Sequence, residues 1–170
     1  SPVEIPSGPT VNQPLNITGR VFVEDELFNP YTSGSGRRWM GRSIENNGSL
    51  SVSTLLPGLL RTGDVGYRFV VGHKGSKQGA MTIHENGVPI AQRVIPEVPK
   101  YMDTYTAPTS GKSNAAALQS DSRSVLKFNY SSSDNTAIGV IDWFEIHYPR
   151  AMVAESGVFE FWTGADLNGV

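Results

Sequence analysis

Apolar and polar residues alternate with period two along most of this chain, and segments with a helical period are almost absent. ITGRVFVEDEL (17–27) puts Val21 and Val23 on one face and Arg20, Phe22 and Glu24 on the other, the pattern of a half-buried strand. RRWMGRSI (37–44) and SLSVSTLL (49–56) read as strands joined by the turn formers Asn46-Asn47-Gly48. GYRFVVGHK (66–74) alternates Tyr67, Phe69, Val71 and His73 against Arg68, Val70 and Gly72. GAMTIHENGVPIAQRVI (79–95) predicts a hairpin, because Asn86-Gly87 suits a type I′ turn in which both residues need positive φ. YMDTYTA (101–107), SVLKFNY (124–130), TAIGVIDWFEIHY (136–148) and GVFEFWT (157–163) complete the set, with Ser131 to Asn135 expected to close a second hairpin. The best helical segment, SNAAALQSDSR (113–123), allows one short helix at most.

These elements predict an all-β fold: an antiparallel β-sandwich, jelly-roll-like, with about nine strands. Pro57, Pro89, Pro96, Pro99 and Pro108 fit strand ends or edges, where a missing N–H costs no ladder bond. Residues 1–16 read as a linker or extended N-terminal arm, 17–163 as the sandwich, and 164–170 as a truncated lead-in to a following domain. The start at Ser1-Pro2-Val3 agrees with a piece of a longer polypeptide.

The segment 136–148 carries the densest candidate chemistry. Strict alternation puts Ile138, Val140, Asp142, Phe144, Ile146 and Tyr148 on the inner face, leaving Ala137, Gly139, Ile141, Trp143, Glu145 and His147 outside. Asp142 is then a carboxylate among core residues and needs a partner to stay ionised. Glu145 and His147 lie side by side on the other, partly solvated face. A regular strand cannot aim all three at one metal ion, and two ligands do not make a site. No metal or other cofactor is expected.

Arg37, Arg38, Trp39 and Arg42 form the densest basic and aromatic cluster. It reads as a docking site, or as a buried Trp39 flanked by solvated arginines. An arginine from this segment paired with Asp142 or Glu145 would reconcile two odd features. These residues, with Trp143 and His147, make up the candidate polar cluster, interactive or structural in role.

Composition narrows the function. The 170 residues suit one domain, and a net charge of −2 with scattered charges gives no footprint for nucleic acid. No apolar run is long enough to span a membrane. The absence of cysteine excludes a cysteine nucleophile within these residues. GHKGSKQG (72–79) lacks the pattern of a phosphate-binding loop and reads as a flexible connection, while His73 and His84 read as surface or satisfied histidines. Tyr31, Tyr101, Tyr105 and Trp162 could form a sugar-stacking platform, so a carbohydrate-binding module of a secreted bacterial protein is the alternative function.

Two motifs carry a family resemblance. VFVEDELFNPYTSGSGRRWMGRSI (21–44) and IDWFEIHYPR (141–150) resemble, in order and spacing, the β-rich domain that precedes the caspase-like domain of gingipain-family cysteine peptidases, type IX secretion sortases among them. The likeness spans roughly residues 17–163 and departs at Arg42, where the family commonly has Glu. It implies a non-catalytic accessory domain of an exported bacterial peptidase, located outside the cell or on the outer-membrane surface. Its implied partners are the adjacent peptidase domain of the same chain and other secretion-system proteins.

Overall fold

The computed structural model describes residues 16–27, 40–98 and 104–151. Nine strands run through them: β1 (Asn16–Glu24), β2 (Arg42–Glu45), β3 (Ser49–Leu55), β4 (Asp64–Lys74), β5 (Gly79–Glu85), β6 (Val88–Ile95), β7 (Tyr105–Asn114), β8 (Arg123–Ser132) and β9 (Ile138–Ala151). They form two antiparallel sheets. One has the order β1-β9-β4-β7, with β2 also paired to β9; the other has the order β3-β8-β5-β6. The all-β sandwich read from the alternation is the fold of the protein.

Its core is the set of side chains that alternation points inward from both sheets. Val65, Tyr67, Phe69 and Val71 of β4 meet Phe144 and Ile146 of β9 from one side and Met81, Ile83, Leu126 and Phe128 from the other. Phe69 packs edge-on against Phe128 with centroids 5.8 Å apart, locking the two sheets face to face. Pro89 and Pro108 both fall inside strands, but β6 and β7 are edge strands, where the missing N–H is tolerated.

The connections depart from the expected run of hairpins. Asn86 (φ 48°) and Gly87 (φ 85°) make the predicted turn between β5 and β6. The expected second hairpin at 131–135 is absent: β8 belongs to the four-stranded sheet and β9 to the five-stranded one. Asn46-Asn47-Gly48 does turn the chain, with Asn47 at φ 58°, but it likewise passes from β2 in one sheet to β3 in the other. A turn of three to five residues can bridge either neighbouring strands or the roughly 10 Å between sheets, and local pattern does not choose between them. The chain thus shuttles between layers at β2→β3, β3→β4, β4→β5, β6→β7, β7→β8 and β8→β9.

As expected, 113–123 holds at most one short helix, a single 3-10 turn at Ala115–Ala117 capped by Asn114 accepting from the Ala116 N–H at 2.9 Å. One further segment differs from expectation. The loop at 75–78, read as a flexible connection, is fastened instead. The Asp134 carboxylate accepts from the Ser76 N–H at 2.7 Å and its hydroxyl at 2.8 Å, and from the Thr136 N–H at 2.9 Å and its hydroxyl at 2.7 Å. Those bonds hold Asp134 well below the ordinary carboxylate range. The strand expected at 157–163, the arm at 1–15 and the lead-in at 164–170 lie outside the described residues.

Candidate functional site

The pairing of β9 with β4 decides where the candidate residues go. Val70 pairs with Trp143, but Val71 pairs with Ile141, so Asp142 is an extra residue: a β-bulge. The bulge inverts the face of everything before it. Ile141 and Ala137, expected outside, join the core, and the ring of Tyr130 lies where a Cβ on Gly139 would be. Asp142 is buried at the bulge, out of the inner row in which strict alternation had placed it, and lines a narrow recess with Asp25, Gly41 and Arg42.

Arg42, on β2 opposite Ile141, donates from Nε to Asp25 Oδ2 at 2.7 Å. Arg37, Arg38 and Trp39 lie outside the described residues.

Trp143, Glu145 and His147 project from the outer face of the five-stranded sheet, as alternation required after the bulge. Cross-strand register sets Phe22 and Arg68 on either side of Glu145, and Arg20 and Gly66 on either side of His147. Arg20 Nε donates to Glu145 Oε2 at 2.8 Å, and Arg68 Nη1 donates to Oε1 at 3.2 Å. His147 Nε2 stands 3.0 Å from Oε1, an ion-pair approach without hydrogen-bond alignment. Alternation alone predicts a partly solvated Glu145, but it is only 4% exposed, because these side chains close over it. Burial by itself raises its pKa; the close approach of His147 and the hydrogen bond and charge of Arg20 outweigh that and hold it at about 2. Arg20 also lies over the Phe22 ring, 5.5 Å from its centroid, and Phe22 packs on Trp143 at 5.6 Å. Arg20, Phe22 and Arg68 were not singled out in the sequence. Alternation placed them on outward faces, but only register brings them to Glu145.

On the far side of Arg68 the sheet surface opens into a cleft of about 410 Å³ over Gly66, bounded by Arg68, Ser110, Lys112 and His147.

Two buried polar clusters lie away from this face. Glu85, 1% exposed, accepts from the Tyr67 hydroxyl at 2.9 Å, from the Ser124 hydroxyl and from the Val125 N–H at 2.8 Å. Burial first, and then the Glu85 charge, push the Tyr67 hydroxyl far above its ordinary pKa, so it is a permanent donor. His73, fully buried, pairs through Nδ1 with the Tyr130 hydroxyl. Burial pushes the His73 pKa down, opposed by the backbone of Lys77 and Gly75, and pushes Tyr130 up to about 12. The reading of His73 as a surface or satisfied histidine therefore resolves to a core residue with one side-chain partner, and His84 bonds Asn129 at 3.0 Å. Both clusters are buried in the core. Among the described residues no group of three or more His, Asp or Glu side chains could hold a metal ion, and no helix is long and apolar enough to cross a membrane.

Fold and site together define a two-sheet antiparallel β-sandwich domain whose outer sheet face carries an organised cationic and aromatic patch. No protein-family model and no curated protein matches the sequence. Among solved structures the chain is similar to dimeric latent PorU from Porphyromonas gingivalis, with a TM-score of 0.75 and 16% identity, covering 95% of this chain and 15% of that one. The chain thus corresponds to a small part of the length of PorU. It is also similar to the CBM36-1 domain of a multidomain xylanase from the hindgut metagenome of Trinervitermes trinervoides, with a TM-score of 0.49 and 12% identity, covering 82% of this chain and 100% of that one.

Proposed function

We propose that this chain is a non-catalytic accessory domain of an exported bacterial gingipain-like cysteine peptidase, packing on or orienting the peptidase domain. The observation that carries this reading is the likeness to PorU over 95% of the chain, which agrees with the resemblance at 21–44 and 141–150 read from the residues alone. The lack of cysteine supports it, because the nucleophile of such a peptidase would have to come from elsewhere in the polypeptide. So does the chemistry of the polar clusters. Glu145 is neutralised by two arginines and Glu85 is enclosed in the core, so neither is poised as an acid or base for a substrate.

The test is the coding sequence downstream of Val170. A caspase-like domain with a His–Cys pair is expected there. Co-expressed as separate polypeptides, the two domains should copurify. An unrelated downstream sequence, or a peptidase domain that folds and acts with no measurable contact to this one, overturns the proposal.

A further inference from the structure

The outer face of the five-stranded sheet is laid out in rows by its register. One row runs Arg20, His147, Gly66, Lys112; the next runs Phe22, Glu145, Arg68, Ser110; the third runs Glu24, Trp143, Val70, Pro108. The first two rows are cationic around a single carboxylate, and the third is largely apolar. The cleft exists because Gly66 has no side chain. A Cβ there would meet nothing nearer than the Cβ of His147 at 4.0 Å, so the floor is open where each neighbouring row position carries a side chain.

The lining of the cleft offers donors and positive charge. Arg68 is oriented by its bond to Glu145, Lys112 stands across the Gly66 gap from His147, and Ser110, paired with Arg68, adds a hydroxyl. Across the three rows Arg20, Arg68 and Lys112 contribute three positive charges against the two negative charges of Glu145 and Glu24, a surplus of one, and Glu24 stands at the end away from the cleft that Arg68 and Lys112 line. Such a lining is complementary to an oxyanion, a carboxylate or a sulfate, that brings acceptors and charge together. Beside it, Trp143 and the 45%-exposed Phe22 form an aromatic surface continued by Val70. Strand spacing and rise put Trp143, two rows along the neighbouring strand, about 14 Å from the cleft floor, the reach of roughly three linked saccharide units.

We propose that this face binds an acidic oligosaccharide, with a carboxylate or sulfate in the cleft over Gly66 and a ring about two units further along against Trp143 and Phe22. The site is independent of the accessory-domain reading and could serve any parent protein. An acidic peptide would satisfy the cleft alone; the aromatic surface of Phe22 and Trp143, one and two rows on, within reach of a short oligosaccharide, favours the sugar.

Calorimetric titration of the whole chain tests it, using a trigalacturonate, a chondroitin sulfate tetrasaccharide, a neutral cello-oligosaccharide of equal length and a polyglutamate peptide. At least one acidic saccharide should bind, with an affinity that falls as salt rises, and the neutral sugar should bind about tenfold more weakly or not at all. The trigalacturonate and chondroitin sulfate arms separate carboxylate from sulfate recognition. Lys112→Ala should weaken binding about tenfold, and Gly66→Ala, which raises the floor, should do the same with the melting temperature unchanged. Trp143→Phe should weaken the saccharide and leave any polyglutamate signal unaltered. The proposal is overturned if no acidic saccharide binds, if the neutral sugar binds equally well, if polyglutamate matches the saccharides, or if Lys112→Ala and Gly66→Ala leave affinity unchanged.

Discussion

Arg20 and Glu145, 125 positions apart in the chain, meet between β1 and β9 with Nε on Oε2 at 2.8 Å. The contact closes the outer face of the five-stranded sheet over a carboxylate that would otherwise lie in water. Arg68 completes the enclosure from the strand on the other side. A short segment of β9 thus becomes the axis of a patch drawn from three strands.

Glu145 has its pKa held at about 2, below the ordinary 4.5. Its ionised form therefore stabilises the fold fully above about pH 4.5, and that contribution fades as pH falls toward 2. Glu145→Gln should cost about 1–2 kcal/mol at neutral pH, since both arginines remain solvent-accessible after the change. Urea unfolding of both proteins from pH 7 to pH 2 should show the difference shrinking through the acid range; a constant difference would count against this account.

Tyr67→Phe should destabilise by about 1–3 kcal/mol, because it removes a donor from Glu85 in a site water does not reach. Tyr67→Phe combined with Glu85→Leu should recover part of the loss, as no charge is then left buried. Chemical denaturation of the three proteins measures both effects. Equal stability of Tyr67→Phe and the parent would show that Ser124 and Val125 alone satisfy the carboxylate.

The lowered pKa of buried His73 predicts the opposite partner in a pH series, a base that resists protonation. The unfolded chain binds this proton at a pKa near 6.5 and the folded chain does not, so the contribution is full above 6.5 and falls as the solution becomes more acidic. Thermal melts between pH 8 and pH 5 should show a steeper fall for the parent than for His73→Gln. His84 and His147 are common to both proteins and cancel. Parallel slopes would sink the idea.

Two glycines on neighbouring strands should behave in opposite ways. Gly139→Ala forces a Cβ to within 2.5 Å of the buried Tyr130 ring and should cost about 1–3 kcal/mol. Gly66→Ala enters open space and should leave stability unchanged or slightly raised, as alanine restricts the unfolded chain more than glycine. A paired measurement of melting temperature decides the matter, and a reversed order would count against the close approach of Gly139 to the Tyr130 ring.

Much of this was legible in the residues. The alternation in 17–27 and 66–74 placed Val21, Val23, Tyr67, Phe69 and Val71 inward correctly. Asn86-Gly87 located the hairpin, and two-residue spacing set Glu145 beside His147. Asp142 was misplaced because alternation counts residues in one strand, whereas a bulge is a mismatch between two. Nothing within 136–148 announces that Val71 will pair with Ile141.

The sequence by itself determined most of the strand segments, though not residues 108–114 of β7, which side of most strands faces the core, and that no thiol chemistry resides here. These follow from local sterics, period-two burial and composition, and each needs only near neighbours in the chain. Tertiary structure alone decided which strands share a sheet, where the register slips, and that Arg20 and Arg68 close over Glu145 while Gly66 opens a cleft beside them. Those outcomes depend on pairings between residues that lie far apart in sequence. Local pattern leaves such pairings open, because an exposed arginine position looks the same whatever strand comes to lie beside it.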